Sequence, residues 1–187
     1  MKFTFIAGSN RQGATSTKLC EYLQHLLEER GHSVDLIDLY QHPVPFYSPG
    51  ESYSGHEGLA RLGTSAKEAE GLILASPEYH GGMSGVLKNA LDHLSQEHFS
   101  GKPVLSISSA GGAVGVSSLG QMQAIVRNLH GINSPEWISI GGSQRRRFED
   151  YLDESEAGSF HDLEERIARV LESFVKLTGL IHRPYGE

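Results

Sequence analysis

The chain has 187 residues, 38% of them hydrophobic and 21% charged, and a net charge of -7 at neutral pH. These values are ordinary for a globular protein, and the acidic balance argues against nucleic acid as the main partner, since phosphate backbones are bound by basic surfaces. The single cysteine, Cys20, excludes an intrachain disulfide and fits a buried, inert thiol; with no signal peptide and no long apolar stretch, we expect a cytoplasmic protein.

Short apolar runs alternate with amphipathic helical patterns along the chain. Predicted strands cover Phe3 to Ala7, Val34 to Leu39, Gly71 to Ala75, Val104 to Ser108 and Trp137 to Ile140. A helix is predicted after each strand, with caps at Ser54 (a capping box with Glu57), Ser84 and Ser159 for the second, third and fifth. This alternation predicts one α/β domain over residues 1–187, a flavodoxin-like three-layer α/β/α sandwich whose five-stranded parallel sheet has the order 2-1-3-4-5.

Three loops rich in glycine, serine and proline follow the first, third and fourth predicted strands. They cover residues 8–16, 76–82 and 108–115. In the order 2-1-3-4-5 these strands end around the topological switch point, where such sheets bind ligands. Any loop between a strand and a helix needs turn residues, but three that converge favour a ligand site.

The first loop, GSNRQGATS, nearly matches the triphosphate pattern G-x-x-x-x-G-K-[ST] but has Ala14 in place of the lysine. It leads into a helix N-terminus, which attracts anions. Arg11 and the hydroxyls of Ser9, Thr15 and Ser16 add donors. No aspartate follows the third, fourth or fifth predicted strand to hold magnesium. The loop therefore suits a terminal monophosphate, and the alternative is a capping turn with a solvated arginine.

The other two loops offer flat side chains and accessible backbone. In SPEYHGG, Gly81 and Gly82 allow a ligand to approach closely, and Tyr79 and His80 can flank a planar ring. His80 can act as a general base, although loop histidines are more often exposed or hydrogen bonded. SSAGGAVG matches neither a dinucleotide fingerprint nor a nucleophile elbow. The ten histidines show no metal-ligand spacing, so no metal site is predicted.

Taken together, GSNRQGATS, SPEYHGGMSGVLKNALDHLS and GKPVLSISSAGGAVG resemble the NADPH-dependent FMN reductase family, in its azoreductase and quinone-reductase branch. The resemblance implies an enzyme that binds FMN noncovalently and passes a hydride from NADPH or NADH to the flavin. Two electrons then go to a quinone, azo compound, flavin or metal oxyanion in a ping-pong cycle. The flavin carries this chemistry, so no catalytic side chain is expected. A flavodoxin-type electron carrier is the alternative, and a flavin-free phosphate-binding module is a third possibility.

The resemblance also assigns FMN-binding residues in each of the three loops. The first loop is expected to hold the phosphate, the second to flank the isoalloxazine largely through its backbone, and the third to meet the pyrimidine edge. Many family members have Asn at the position of His80. The assigned residues are Ser9, Arg11, Thr15, Ser16, Pro77, Glu78, Tyr79, His80, Gly81, Ser109, Gly111 and Gly112.

Two further features have competing interpretations. Arg145, Arg146 and Arg147 are either solvated or recognise the 2′-phosphate of NADPH. The apolar stripe of the helix over 84–95 either packs in the core or, as the resemblance implies, joins two copies in a homodimer or homotetramer. The stripe consists of Met83, Val86, Leu87, Ala90, Leu91 and Leu94. The long loop over 40–54 is expected to cover the substrate pocket.

Overall fold

Parallel strands flanked by helices make up most of residues 1–148 and 159–182, the part of the chain that the computed structural model describes. The strands are β1 (Lys2–Ala7), β2 (Ser33–Asp38), β3 (Gly71–Tyr79), β4 (Gly82–Met83), β5 (Pro103–Ala110), β6 (Ile132–Asn133) and β7 (Ile138–Gly141). The helices are α1 (Thr15–Glu28), α2 (Glu57–Glu68), α3 (Gly85–Asp92), α4 (Gln96–Phe99), α5 (Val116–Asn128) and α6 (His161–Ile181). A 3-10 helix, Gly142–Phe148, follows β7. Within these described ranges, no helix has the length and apolar character needed to span a membrane.

The sheet confirms the predicted parallel order. β1 lies between β2 and β3, and β5 pairs with the other side of β3. The fifth position is shared by two short strands, β6 and β7, which both pair parallel with β5. The N–H of Ser134 still donates to the carbonyl of Val104 at 2.8 Å, but Pro135 has no N–H with which to continue the pairing. The single fifth strand predicted at this edge is therefore divided.

Hydrophobic side chains fill both faces of the sheet and form the two interfaces of a three-layer sandwich. Alternate residues of β1 pack against different helix layers, because successive side chains of a strand point to opposite faces of the sheet. Phe3 and Phe5 pack with α1 and α6, where Phe174 is buried. Ile6 packs on the other side with α2, α3 and α5, where Leu87 is buried. The predicted α/β/α layering is thus present.

The helix caps agree only in part with the sequence prediction. Ser84 caps α3 as predicted, since its Oγ accepts the N–H of Leu87 at 3.0 Å. The predicted Ser54 cap of α2 is wrong: Nδ1 of His56 accepts the N–H of Leu59 at 3.2 Å, and an imidazole nitrogen can accept such a bond as a hydroxyl does. For α6 the N-cap residue is Phe160, one position after the predicted serine.

The helix predicted over 84–95 is shorter than expected, and its apolar stripe lies inside the molecule. α3 ends at Asp92, and the short α4 follows after a capping box. Met83 and Val86 are half-buried and pack against the core on this side of the sheet. Four stripe side chains are fully part of that core and cannot contact a second copy: Leu87, Ala90, Leu91 and Leu94. Core packing therefore explains these four residues, whereas Met83 and Val86 keep an exposed part.

Candidate functional site

The three glycine-rich loops meet at the carboxyl ends of β1, β3 and β5. They enclose a cavity of about 380 Å³, called here the loop cavity. All three predicted loops contribute to its wall, as the strand order requires, and the 3-10 helix after β7 adds one arginine. The lining residues are Arg11, Ala14, Thr15, Pro77, Glu78, Tyr79, Ser109, Ala110, Gly111 and Arg145.

The remaining residues assigned to FMN lie around this cavity rather than on its wall. Ser9 and Ser16 are fully buried, and Oγ of Ser9 accepts the N–H of Arg11 at 3.2 Å. His80 and Gly81 form the exposed turn of a hairpin, and Gly112 is exposed in the loop after β5. These residues therefore belong to the loops around the cavity, and residues next to them in the sequence line its wall.

Among the residues that the structure describes, no side chain caps the first turn of α1, and a buried hydroxyl of that turn has no partner. Its N-cap residue, Ala14, has no side-chain oxygen to accept a hydrogen bond, and an α-helix leaves its first four N–H groups without partners inside the helix. The Oγ of Ser16 is buried without a hydrogen-bond partner, an arrangement that costs free energy. A phosphate fits this donor set, because it brings several acceptor oxygens and a negative charge to a helix N-terminus.

The stretch predicted as a loop after the third strand is instead a tight hairpin. β3 continues through Pro77 to Tyr79 and then turns into the antiparallel β4. The glycine, serine and proline content of this stretch favoured a loop. However, β1 already ends opposite Ala75, so Pro77 lies where β3 has a free edge that tolerates proline. The two turn residues, His80 and Gly81, have φ values of +51° and +74°, as in the two-residue turns typical of hairpins.

His80→Val should lower the free energy of unfolding by about 1–2 kcal/mol, because a β-branched side chain is strained at positive φ. His80→Asn should keep the stability, since Asn adopts this conformation readily and Asn-Gly is the favoured turn sequence. Urea unfolding of the two variants measures the difference. The resemblance implies oxidation of NADPH, and its rate should depend on pH in the same way in His80→Asn and the wild type. Loss of one pH-dependent transition in the variant would assign a proton-transfer role to the imidazole.

Glu78 fastens the hairpin to α5. Its Oε2 accepts hydrogen bonds from the N–H and the Oγ of Ser118, both at 2.9 Å. The N-cap residue of α5, Gly115, has no side chain to do this, and a carboxylate at a helix N-terminus is favourable. A second clamp comes from Gln121, whose Oε1 accepts the N–H of Met83 at 2.9 Å. The Glu78 carboxylate is thus engaged, which agrees with a largely backbone role toward a ligand.

The loop after β5 is held in shape by β7 and the residue that follows it. Oγ of Ser139 accepts the N–H of Gly115 at 2.9 Å, and the N–H of Gly142 donates to the carbonyl of Gly112 at 2.7 Å. A Cβ on Gly141 would lie 2.2 Å from that same carbonyl oxygen, so only glycine fits there. The contacts that fix this loop join residues far apart in sequence, and no local signal predicted them.

The three consecutive arginines point in different directions. Nε of Arg147 donates to Glu164 of α6, and its guanidinium lies 5.3 Å from the ring centroid of Tyr22. Arg146 is exposed, whereas Arg145 is half-buried and lines the loop cavity. A 3-10 helix turns successive side chains by about 120°. The structure therefore does not bring the three together as one phosphate site, nor are all three simply solvated.

A second cavity, of about 460 Å³, shares Tyr79 with the loop cavity and is called here the apolar cavity. None of its lining residues carries a charge: Asn10, Leu39, Pro43, Val44, Phe46, Tyr79, Ser84, Gly85, Val86 and Asn89. Pro43, Val44 and Phe46 of the loop over 40–54 line this cavity, and whether the cavity takes a substrate stays a prediction. Asn89 fixes that loop from α3, because its Nδ2 donates to the carbonyl of Pro45 and its Oδ1 accepts the N–H of Tyr47, both at 2.8 Å.

Cys20 is buried within α1, as the sequence predicted. Burial raises the pKa of its thiol far above the ordinary value, and the nearby carboxylates of Glu21 and Asp38 raise it further. A thiol that stays protonated is a poor nucleophile, so Cys20 is a packing residue.

Comparison with known proteins places the chain in a family. The family model for NADPH-dependent FMN reductase matches residues 1–144. An FMN-dependent NADPH-azoreductase of Staphylococcus saprophyticus is 38% identical over 156 residues, which cover 80% of this chain and 82% of that protein.

Two solved structures share the fold. A flavoenzyme NAD(P)H:(acceptor) oxidoreductase from Paracoccus denitrificans has a TM-score of 0.69 at 19% identity, covering 94% of this chain and 97% of its own. An NADH:FMN oxidoreductase has a TM-score of 0.72 at 22% identity, covering 92% and 87%. This chain belongs to the NADPH-dependent FMN reductase family.

Proposed function

We propose that this chain binds FMN in the loop cavity, oxidises NADPH with it and reduces a small organic acceptor. The observation that carries this proposal is the convergence of an unsatisfied helix N-terminus, a rigid hairpin and a glycine loop on one cavity. Ala14 stands where a triphosphate site has lysine, and FMN ends in a monophosphate. The name of the Staphylococcus saprophyticus relative, an FMN-dependent NADPH-azoreductase, adds independent support.

When bound, FMN supplies the two-electron chemistry between NADPH and the acceptor. The protein's part is to hold and orient it. Arg11, Thr15 and Ser16 would bind the phosphate, using the donors of the first turn of α1. Pro77, Glu78, Tyr79, His80 and Gly81 would form the hairpin against which the ring lies. The loop bearing Ser109, Gly111 and Gly112 would direct N–H groups at the pyrimidine edge, where they stabilise developing negative charge.

The apolar cavity is where we place the electron acceptor. Tyr79 belongs to the walls of both cavities, so an acceptor held there would lie next to the flavin. Moving an unpaired charge from water into an apolar pocket costs free energy, and none of the lining residues carries a charge to offset that cost. The cavity therefore favours a neutral planar quinone or azo compound over a metal oxyanion.

Phe46→Ala should raise the KM for a neutral quinone roughly fivefold. The ring lines the apolar cavity, and its removal costs about 1 kcal/mol of apolar contact with the acceptor. Steady-state assays at fixed NADPH measure this change. Tyr40→Ala is the matched control, since Tyr40 is an exposed aromatic residue of the same segment that does not line the cavity. A similar KM for both variants would show that the acceptor does not bind in this pocket.

A flavodoxin-type electron carrier is the second candidate, because a fold of this kind hosts both functions. FMN-dependent oxidation of NADPH in the presence of a quinone tests the enzyme. A protein that binds FMN but leaves NADPH unoxidised would support the carrier instead. A protein that takes up no FMN would contradict both and support a flavin-free phosphate-binding module.

We infer that self-association into a dimer or tetramer uses the rim of the two cavities rather than the stripe of α3. Large apolar side chains are exposed on the covering loop, the hairpin and the segment leading into α5. Phe46 is 90% exposed and Val114 61% exposed, whereas four of the six stripe side chains lie in the core. The sedimentation mass of the purified protein measures its oligomeric state.

A further inference from the structure

Arg145 brings a second guanidinium group to the loop cavity from a distant part of the chain. It is half-buried and lines the cavity together with Arg11, Ala14 and Thr15. Arg11 lies in the loop before α1, whereas Arg145 lies in the 3-10 helix after β7. The two arginines therefore reach one space from different elements of the fold.

The backbone that carries Arg145 is anchored on both sides. Before it, Gly142 donates its N–H to the carbonyl of Gly112 at 2.7 Å. After it, Arg147 pairs with Glu164 of α6, and the buried ring of Phe148 lies 5.8 Å from that of Tyr22, centroid to centroid. The segment is thus fixed between the glycine loop and the layer of α1 and α6, which holds Arg145 at the cavity.

Among the described residues that line the cavity, two carry a guanidinium group, Arg11 and Arg145. Within residues 1–148 and 159–182, the one acidic residue that lines the cavity is Glu78, and its carboxylate already accepts two hydrogen bonds from Ser118. The positive end of α1 adds to the two guanidinium groups. A phosphate monoester carries a charge of about -1.5 to -2 at neutral pH, which a single arginine does not balance.

We propose that Arg145 is a second phosphate-binding arginine and shares the FMN phosphate with Arg11. This inference rests on the proposed function. The 2′-phosphate of NADPH is also a phosphate monoester and is the other group that this arginine could bind. The flavin phosphate is favoured because Thr15 and the N-terminus of α1 border the same space as Arg145. Arg146 is exposed and Arg147 is paired with Glu164, so neither takes part.

The test compares the affinities of the cofactor-free protein for FMN and for riboflavin, which lacks the phosphate. Quenching of flavin fluorescence on binding measures both affinities. Arg145→Ala should weaken FMN binding about 10- to 100-fold, as expected for a charge-assisted contact, and should leave riboflavin binding unchanged. Arg146→Ala, its exposed neighbour, is the control and should bind both flavins as the wild type does. Arg145→Gln gives the same comparison with a longer side chain if the alanine variant does not fold.

Three results would overturn the inference. Unchanged FMN affinity in Arg145→Ala would show that Arg145 does not contact the phosphate. Equal losses of affinity for FMN and riboflavin would show that Arg145 contacts a part that both flavins share. A raised KM for NADPH but not for NADH, at unchanged FMN affinity, would assign Arg145 to the 2′-phosphate. These outcomes differ from failure of the proposed function, in which the wild-type protein itself would bind no FMN.

Discussion

Gly141→Ala should weaken FMN binding at least tenfold and lower the free energy of unfolding by about 1–3 kcal/mol, the range for overpacking a tight site. The added methyl group would lie 2.2 Å from the carbonyl oxygen of Gly112 and 2.5 Å from that of Ala113. Both belong to the backbone of the loop that we expect at the pyrimidine edge of the flavin. Because no flexible side chain can move aside, the loop itself has to shift. FMN titration and urea unfolding measure the two effects.

Gly120→Ala is the matched control for this substitution. Gly120 lies on an exposed face of α5, and a Cβ there would meet no atom within 4 Å. Alanine is the better helix former, so the control should gain about 0.5–1 kcal/mol of stability and bind FMN normally. If Gly141→Ala loses stability but keeps its FMN affinity, the loop after β5 does not contact the flavin.

Arg11→Ala should weaken FMN binding about 10- to 100-fold, since a hydrogen bond to a charged phosphate contributes about 1.5–3 kcal/mol. Riboflavin affinity should not change. The stability of the cofactor-free protein should stay close to that of the wild type, because the side chain is exposed. Fluorescence titrations with both flavins measure the contrast.

Arg127→Ala serves as the control for Arg11, being an exposed arginine in the last turn of α5. It removes the same charge without touching the loop cavity. Equal weakening of FMN binding in both variants would mean that net charge, rather than a local contact, sets the affinity. An unchanged affinity in Arg11→Ala would contradict the phosphate assignment.

The architecture could be predicted from the sequence because it follows from local patterns. The apolar run from Phe3 to Ala7 and the helical spacing from Leu19 to Leu27 each depend on neighbouring residues, and alternation of such patterns fixes a parallel sheet. The order of the strands then brings the three loops together. The position of the loop cavity could therefore be predicted without any knowledge of contacts.

The details of the site depend on contacts between distant residues, which no local pattern encodes. Glu78 caps a helix through Ser118, 40 positions away. Arg145 and Arg147 look alike in sequence, and only the turn of the 3-10 helix separates their surroundings. The missed cap of α2 has a different, local reason: the imidazole of His56, three positions before Leu59, replaces the expected hydroxyl of Ser54, and histidine is not among the preferred N-cap residues.

The central claim is that NADPH reduces the FMN bound to this chain. Rapid mixing of the FMN-loaded protein with NADPH in the absence of oxygen, followed by flavin absorbance, tests it most directly. We expect the flavin absorbance to bleach within the turnover time and to return when a quinone is added. A flavin that stays oxidised while NADPH remains unconsumed would contradict the account.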